Sequence, residues 1–306
     1  MLILEQKIKK FISTNLQQPY AEWNEATEYA WNTTIVYKNH IYRNIVKQNK
    51  GVQPDLNTGK WLLFGVDNAF AMLDLHSHTD TIMDEGLKKI EVTFSSAGYD
   101  YIGFGNVKGS LIEIQEYSAT NMRLKTTTHK IGNERTCAIT WHDYYYCGIP
   151  DKLDLGKGKA VDFLYGQILP RTASIKVIIH QNSDNIASCG SMVSGKAKDV
   201  GNTQFGVDIR LVDYSIKTTD KYGITTIEKH DSQEVFTCEI TFPAKTTQLV
   251  KREIKQNLGK VVMIIAEPER DSNYDNLITL GYIEDFQIYI NNGVESRASM
   301  KVLEVL

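Results

Sequence analysis

The chain has 306 residues, of which 42% are hydrophobic and 10% aromatic, and this composition excludes intrinsic disorder as its main state. Its 34 Lys and Arg residues nearly balance its 37 Asp and Glu residues, so the net charge of -3 gives no electrostatic reason to expect binding to nucleic acid or an anionic membrane surface. Six prolines, with no Pro-rich or Gly/Ser-rich tract, argue against a long flexible linker between domains.

Neither a targeting segment nor a membrane-spanning segment is visible in the sequence. Charges at Glu5 and Lys7 interrupt the apolar start before it reaches the roughly 7–15 residues of a secretory signal. No stretch approaches the roughly 18 consecutive apolar residues of a membrane-spanning helix. The chain has four widely separated cysteines without a C-x-x-C pair: Cys137, Cys147, Cys189 and Cys238. We therefore expect reduced, buried thiols, no zinc or other cofactor, and folding in a cytoplasm.

The first predicted element is an amphipathic helix within residues 1–19. Apolar residues recur there at helical spacings of three and four: Ile3, Leu4, Ile8, Phe11, Ile12 and Leu16. Pro19 would end this helix, because proline cannot continue one. From residue 20 the sequence changes to aromatic-rich strands and short loops, with strand candidates at 35–37 and 41–45. Residues 20–66 are therefore predicted to form a separate minidomain.

Beyond Trp61 the sequence is a series of β segments. In 111–115 and 174–180, apolar side chains occupy every second position, which places one strand face in a core and leaves the other outside it. The clearest segments are Lys89–Phe94, Leu111–Tyr117, Cys137–Tyr145, Ser174–His180, Val207–Tyr214, Glu234–Phe242, Lys260–Ile265, Ile278–Ile290 and Ser299–Val305. Many short strands and few helices favour a jelly roll or β-sandwich over a parallel sheet with crossover helices.

One helix interrupts these strands, at about 244–258. Pro243 opens it, Thr246 or Thr247 can cap it, and Gly259 ends it. Val250, Ile254 and Leu258, spaced four positions apart, line one face of this helix.

Aromatic residues follow a recognisable order early in the chain. The order is Tyr29-Ala-Trp31, Val36-Tyr37, Tyr42, Asn49-Lys-Gly51, Pro54 and Trp61. It resembles the small carbohydrate-binding modules of bacterial chitinases, three-stranded minidomains that display aromatic rings. The resemblance implies sugar binding, because flat aromatic rings pack well against the apolar faces of pyranose rings. The candidate binding residues are Trp31, Tyr37, Tyr42 and Trp61. Alternatively, these rings form the core of a minidomain that is too small to have another.

The run Asp74-Leu-His76-Ser-His78-Thr-Asp80 is a candidate metal site. On a strand, the period of two would place Asp74, His76, His78 and Asp80 on one face, close enough to share a metal ion. The run also resembles the first motif of the polymerase-and-histidinol-phosphatase metal-dependent phosphoesterases, in which an H-x-H pair opens a multi-metal hydrolytic site. That family needs a later D-x-H, and no other histidine of this chain stands in one. A polar strand edge is the alternative interpretation.

Two longer stretches of the sequence have recognisable patterns. Trp61–Asp74 follows the pattern W-x-x-x-G-x-x-N-x-x-A-M-x-D, and a later stretch reads Asp213-Tyr-Ser-Ile-Lys-Thr-Thr-Asp-Lys-Tyr-Gly223. Together with Gly281–Phe286, these stretches resemble a family of tailed-bacteriophage virion proteins, which are tail, baseplate or carbohydrate-binding proteins with a galactose-binding-like jelly roll. The resemblance covers roughly residues 25 to 306.

The β pattern and the resemblance together predict a mainly β fold. The predicted parts are an N-terminal helix (1–19), a three-stranded carbohydrate-binding-like minidomain (20–66), a galactose-binding-like jelly roll or β-sandwich (67–200) and a C-terminal β domain with one helix (201–306). Because no linker composition separates them, the modules are expected to pack together.

The predicted function is that of a structural, non-enzymatic component of a bacteriophage tail or baseplate. The chain would be synthesised in the host cytoplasm and would assemble into the virion tail as a symmetric homo-oligomer that docks other tail or baseplate proteins or fibres. A host-surface glycan is a further candidate partner, whereas nucleic acid and a membrane span are not expected. A stand-alone glycan-binding lectin is one alternative function. A metal-dependent phosphoesterase that uses Asp74, His76 and His78 is the other.

Overall fold

A computed structural model describes residues 1–76, 78–96, 98–131, 161–268, 277–290 and 293–305, and it describes residues 161–165 by their backbone alone. The chain is mainly β, as predicted, with one α-helix and three short 3-10 helices among the described residues. Cys189 and Cys238 are buried free thiols, as expected. The predicted strand Cys137–Tyr145 lies outside the described residues, and so does Cys147.

The N-terminal segment contains two short strands and no helix, so the helix predicted in residues 1–19 is wrong. The segment forms β1 (Leu2–Glu5) and β2 (Ser13–Thr14). β1 lies inside a sheet and pairs along both edges, with residues 197–199 and with residues 262–265. These ladders satisfy its backbone groups, whereas a short isolated helix is only marginally stable in water. Ile3 and Leu4, the first two residues of the apolar pattern, are both buried because both faces of β1 are covered.

The minidomain contains two small antiparallel sheets. Its strands are β3 (Glu28–Ala30), β4 (Thr34–Tyr37), β5 (His40–Asn44), β6 (Gln48–Lys50) and β7 (Trp61–Val66), with a 3-10 helix at Pro54–Leu56. One sheet has the order β4-β5-β7, and β3 pairs with β6. The buried amide of Asn44 joins the two sheets, because it donates to the carbonyls of Tyr29 (2.9 Å) and Ala30 (2.8 Å).

A two-sheet sandwich follows the minidomain. After a 3-10 helix at Asn68–Leu73, its strands are β8 (Thr81–Ile82), β9 (Lys89–Ser95), β10 (Tyr101–Lys108), β11 (Leu111–Tyr117), β12 (Arg123–Lys130), β13 (Val161–Gln167), β14 (Ser174–His180) and β15 (Ser188–Gly195). The sheets have the orders β8-β15-β10-β13 and β9-β14-β11-β12, with β2 added beside β9. All their pairs are antiparallel, and successive strands alternate between the two sheets except for β11 and β12, which is the topology of a jelly roll.

One apolar core lies between the two sheets of the jelly roll. Val92 and Phe94 of β9 contribute to it from one sheet, and Phe104 of β10 contributes from the other. β9 and β11 alternate buried with more exposed residues, as the sequence pattern predicts, whereas three consecutive residues of β14, Val177–Ile179, are all buried. β15 is buried along its whole length, because the rest of the molecule covers both of its faces.

The C-terminal domain is built on a larger antiparallel sheet. Its elements are β16 (Ala197–Asp199), β17 (Asn202–Thr203), β18 (Asp208–Asp213), β19 (Ile216–Thr219), β20 (Thr225–Glu228), β21 (Ser232–Pro243), a 3-10 helix at Ala244–Thr246, α1 (Thr247–Asn257), β22 (Val262–Ile265), β23 (Ile278–Tyr289) and β24 (Glu295–Glu304). The sheet order is β16-β1-β22-β23-β24-β21-β17, with β18 also paired to β21. The N-terminal strand therefore completes the C-terminal domain.

Helix α1, the large sheet and the jelly roll are stacked as three layers. Val250 and Ile254 of α1 share a core with one face of the large sheet. The other face of that sheet shares a second apolar cluster with the jelly roll, in which Met263 of β22 lies with Val193 of β15. The jelly roll and the C-terminal domain thus pack directly together, as the lack of linker composition predicts.

The predicted helix at about 244–258 is confirmed, but its predicted cap is not. Thr246 occupies the N-cap position, yet its hydroxyl donates to the carbonyl of Pro243 (2.7 Å) and forms no capping bond to the helix. Thr247 likewise donates back to Ala244 (2.8 Å). Gly259 follows the helix with a φ of +74°, as its predicted role at the helix end requires.

A two-stranded hairpin projects from the large sheet. Residues 214–231, which we call the arm, contain β19, β20 and the turn between them. Every residue of the arm is exposed except Ser215, which is half-buried. With a rise of about 3.3 Å per residue, the arm extends about 25 Å beyond the strand pair β18–β21 from which it continues.

Candidate interaction surfaces

A groove on the minidomain is the first candidate site. Its volume is about 470 Å³, and it is lined by Trp23, Glu25, Gly51, Val52, Gln53, Leu56 and Asn57. The ring of Trp23 packs edge-on against Tyr37, with 5.3 Å between the ring centroids. The side-chain amide of Gln53 donates to the hydroxyl of Tyr37 (2.8 Å). An aromatic wall with amide and carboxylate groups beside it is chemically suited to a polyhydroxylated ligand.

The four predicted carbohydrate-binding residues do not form one surface. Trp61 is only 1% exposed, its indole N–H donates to the carbonyl of Val52 (2.9 Å), and its ring packs edge-on against Tyr29. It therefore belongs to the core of the minidomain, and its predicted contact with a sugar is wrong, because no ligand can reach the ring. Trp31 is 66% exposed but does not line the groove.

Tyr37 and Tyr42 are intermediate in solvent exposure between Trp61 and Trp31. Both are half-buried against the core of the minidomain, and burial raises the pKa of Tyr42. Trp23, which does line the groove, is a residue that the aromatic pattern misses, because Trp23 precedes the first tyrosine of that pattern. Its position in an aromatic-rich stretch, shortly before the minidomain's first strand at Glu28, is the signal that could have found it.

The predicted metal site does not form among the described residues. Residues 74–76 and 78–80 form a turn rather than a strand, so the period of two that would align their side chains is absent. The carboxylate of Asp74 accepts hydrogen bonds from the backbone N–H of His76 (3.0 Å) and from the hydroxyl of Thr79 (2.7 Å). Asp74 is therefore a turn-stabilising residue.

His78 and Asp80, from the same run, interact with other parts of the molecule. The Asp80 carboxylate lies 3.5 Å from the ammonium group of Lys108 on β10. The His78 imidazole lies 3.6 Å from the carboxylate of Asp231 at the base of the arm. No group of three His, Cys, Asp or Glu side chains with the geometry of a metal site occurs in the described ranges. The geometry on which the phosphoesterase hypothesis depends is therefore missing there.

The arm is the second candidate site, and short-range hydrogen bonds shape it. The Asp220 carboxylate accepts from the backbone N–H groups of Tyr222 (2.8 Å) and Ile224 (2.9 Å), which closes the turn at the tip. Gly223 has a φ of +82°, a conformation that glycine adopts without strain. At the base, hydrogen bonds from Ser215 and Lys217 lower the pKa of Asp213 to about 2.

The arm carries large apolar side chains that nothing in the described part of the chain covers. They are Tyr214, Ile216, Tyr222, Ile224 and Ile227, of which Tyr222 is 77% exposed. Lys217 and Ile227 are cross-strand partners, and so are Ile216 and Glu228, so each face of the arm has one isoleucine beside a charged residue. The exposed apolar groups are therefore distributed over both faces and the tip of the arm.

The edge of the minidomain sheet is the third candidate site. Leu62, Leu63 and Phe64 of β7 are consecutive, and each exposes more than half of its surface. β7 pairs with β5 on one side, and its other edge has no strand partner among the described residues. The guanidinium group of Arg43 lies over the Phe64 ring, 4.2 Å from its centroid. The six residues of β7 include no charged side chain.

Comparison with known proteins gives no family assignment. No protein-family model matches the sequence, and no curated protein matches it either. Within the described ranges, no helix has both the length and the apolar character that crossing a membrane requires.

Proposed function

We propose that this chain is a structural component of a bacteriophage tail or baseplate, where it docks neighbouring tail subunits or fibres. The observation that carries the proposal is the arm. An isolated two-stranded hairpin is at best marginally stable in water, so an arm with exposed isoleucine and tyrosine side chains gains stability from a surface of another subunit. Its function in this proposal is binding, without a catalytic step, and its location is the virion tail.

The sequence resemblance supports the same proposal, because its second motif coincides with the arm. Asp213, Asp220 and Gly223 are motif residues, and they are also the residues that shape the base and the tip of the arm. In the first motif, the Asn68 amide donates to the carbonyl of Ile82 (2.8 Å) and accepts from its N–H (2.9 Å). The residues shared with the virion family thus have structural roles in this chain.

The layered packing also suits a particle component. The jelly roll and the C-terminal domain share an apolar cluster, which includes Leu4 and Leu280. Such a contact holds the two modules together without a flexible linker, and the proposed partners of the assembly are other proteins.

The test is mass spectrometry of tail particles purified from cells that produce this chain. We expect its peptides to copurify with tail proteins at a fixed stoichiometry. A variant in which an Asn-Gly turn joins Asp213 to Ser232 removes the arm, and because these two residues are paired the shortened hairpin can still close. We expect this variant to fold but not to enter particles. Absence of the full-length chain from purified particles would contradict the proposal.

The groove favours a second candidate function, binding of a host-surface glycan. Gln53 is an exposed polar residue of the groove, whereas Trp31 lies outside it. If the groove binds sugar, Gln53→Ala should weaken binding on a glycan array by about fivefold or more, since it removes a hydrogen-bonding group. Trp31→Ala should leave that binding unchanged. The absence of any glycan binding by the wild-type chain would contradict this function and leave the structural proposal intact.

A further inference from the structure

The groove of the minidomain carries a single charge. Among the described residues that line it, Glu25 alone is charged, and the others are apolar or neutral. The Glu25 side chain is exposed and forms no ion pair within the described part of the chain. The ammonium group of Lys38, which lies over the Tyr37 ring, is held by the carboxylate of Asp55 at 2.6 Å. The groove therefore offers an unpaired carboxylate, which a cationic group of a ligand would complement.

The neutral groups of the groove offer hydrogen bonds and one aromatic ring. The Gln53 amide uses one N–H in its bond to Tyr37 (2.8 Å), and its carbonyl oxygen accepts no hydrogen bond from the described residues. Asn57 adds a second side-chain amide. The indole N–H of Trp23 is buried and has no partner in the described ranges, so Trp23 offers a ligand its ring rather than its N–H. One carboxylate, two amides and one ring are thus available together.

Local hydrogen bonds hold both walls of the groove in place. On one wall, the Asn24 side chain accepts from the N–H of Ala26 (2.9 Å), which closes the turn that carries Glu25. On the other wall, the carbonyl of Val52 accepts from the indole N–H of Trp61 (2.9 Å), which anchors this wall to the core of the minidomain. A site whose backbone is already fixed loses less conformational entropy when a ligand binds.

We propose that the groove binds an amino sugar whose amino group is free and protonated. The proposal rests on the glycan binding described above as the second candidate function, and it names the class of sugar. The ammonium group pairs with Glu25, the sugar hydroxyls bind the amides of Gln53 and Asn57, and an apolar face of the sugar packs on Trp23. The groove volume of about 470 Å³ lies within the roughly 300–1,000 Å³ of small-molecule sites.

N-acetylation removes the feature that this groove recognises. An N-acetylated sugar has a neutral amide in place of the ammonium group, so it leaves the Glu25 carboxylate without a counter-ion. Its carbonyl oxygen also adds an acceptor beside a carboxylate, which is itself only an acceptor. A neutral hexose can donate a hydroxyl to Glu25 but supplies no charge. We therefore expect the free amino sugar to bind more tightly than either.

Isothermal titration calorimetry of the full-length chain with three tetrasaccharides tests the proposal. The probes are the tetramers of glucosamine, N-acetylglucosamine and glucose, at about pH 6, where an amino group is protonated. Salt at about 0.15 M screens long-range attraction between the oligosaccharide and the protein. We expect the glucosamine tetramer to bind at least about fivefold more tightly than either of the other two, because its contact with Glu25 is charge-assisted and lies beside an aromatic ring.

Two matched variants show whether the groove is responsible. Glu25→Gln keeps the size of the side chain and removes its charge, so it should weaken binding of the glucosamine tetramer about three- to fivefold. It should change binding of the glucose tetramer by less than about twofold. Glu22→Gln makes the same charge change at an exposed residue outside the groove, and its affinity for the glucosamine tetramer should equal that of the wild type. Both positions are exposed, so circular dichroism should show the wild-type fold.

The outcomes separate this inference from the functions proposed above. If the N-acetylglucosamine tetramer binds as tightly as the glucosamine tetramer, the inference is overturned and glycan binding stands. A glucosamine preference that Glu25→Gln does not reduce, or that Glu22→Gln reduces equally, also overturns it. If no tetramer binds, the inference fails, and glycan binding fails with it only when the glycan array is blank as well. The tail proposal is decided separately, by mass spectrometry of particles.

Discussion

Ile3 and Leu4 are adjacent in the sequence, yet they lie in different hydrophobic cores. Ile3 packs with the residues of α1 on one face of the large sheet, and Leu4 packs with Val193 of the jelly roll on the other face. Both are fully buried. The N-terminal strand is therefore the layer that joins two modules, and its backbone continues this role: the N–H of Lys7 donates to the carbonyl of Ser194 (3.0 Å) on β15.

Truncation of Leu4 should destabilise the whole molecule. Leu4→Ala removes buried apolar volume between two modules, and we expect a loss of about 2–5 kcal/mol in the free energy of unfolding. Urea unfolding followed by circular dichroism measures it. Ile12→Ala is the control, because Ile12 belongs to the apolar pattern of the predicted helix but is exposed in the structure. It should change stability by less than about 0.5 kcal/mol. A large effect of Ile12→Ala would indicate that the segment packs differently.

Truncation of Trp61 should unfold the minidomain. Trp61 fills the small core with Tyr29 and Ile35, so Trp61→Ala should cost about 3–5 kcal/mol, which exceeds what a module of this size can lose. Hydrogen exchange of residues 28–66 should then become fast while the jelly roll stays protected. Trp31→Ala, at an exposed aromatic of the same minidomain, should leave exchange unchanged. Retained protection in Trp61→Ala would contradict the core role.

The turn of the arm should depend on Gly223. Gly223→Ala introduces a side chain at a φ of +82°, and we expect the hairpin to lose about 1 kcal/mol of local stability. Amide exchange of β19 and β20 should accelerate several-fold, whereas the global free energy of unfolding should not change. Gly293→Ala is a suitable control, because Gly293 has no positive φ and no neighbour near its added methyl group. A global destabilisation by Gly223→Ala would show that the arm is coupled to the core.

The base of the arm should loosen in acid because of Asp213. Its folded-state pKa of about 2 lies below its ordinary value of 3.8, so ionised Asp213 favours the folded base. A carboxyl group whose pKa is lowered by folding stabilises the folded state at pH values above its unfolded-state pKa. This stabilisation is lost as the pH falls through the folded-state pKa. We therefore expect faster amide exchange at residues 214–217 between about pH 4 and pH 2, relative to the intrinsic rates. Asp213→Asn should abolish this change, and an NMR titration of the Asp213 carboxyl group should give a pKa well below 3.8.

The strands that the sequence predicts best are those with one covered face. The predicted segments Leu111–Tyr117 and Ser174–His180 agree with β11 and β14 residue for residue. β11 alternates buried with half-exposed residues throughout, and β14 does so except at Ile178, which is also buried. β10 and β15 are not predicted. β15 has the sequence SCGSMVSG and is buried on both faces, so it shows no alternation and contains small residues. A side chain at Gly195, at its end, would meet the carbonyl oxygen of Glu5 at 2.5 Å, which explains why a small residue lies there.

The candidate sites were predictable only in part. The aromatic pattern identifies the minidomain, yet a sequence does not distinguish a ring that forms a core, such as Trp61, from one that faces solvent, such as Trp31. The arm is missed for a similar reason. β19 and β20 are exposed on both faces, so their residues lack the contrast that marks a strand.

A periodic sequence pattern arises when the two faces of a segment have different environments. This explains which features the sequence alone determined and which the tertiary structure decided. The sequence alone determined the mainly β class, the one described α-helix and the half-covered strands, because each has an apolar side and a polar side. The tertiary structure decided that residues 2–5 form a strand, that β15 is an interior strand and that the arm projects. In the first two cases neighbouring layers cover both faces, and in the arm no described residue covers either face. When the two faces of a segment have the same environment, its local pattern carries no information about its structure, and long-range packing decides it.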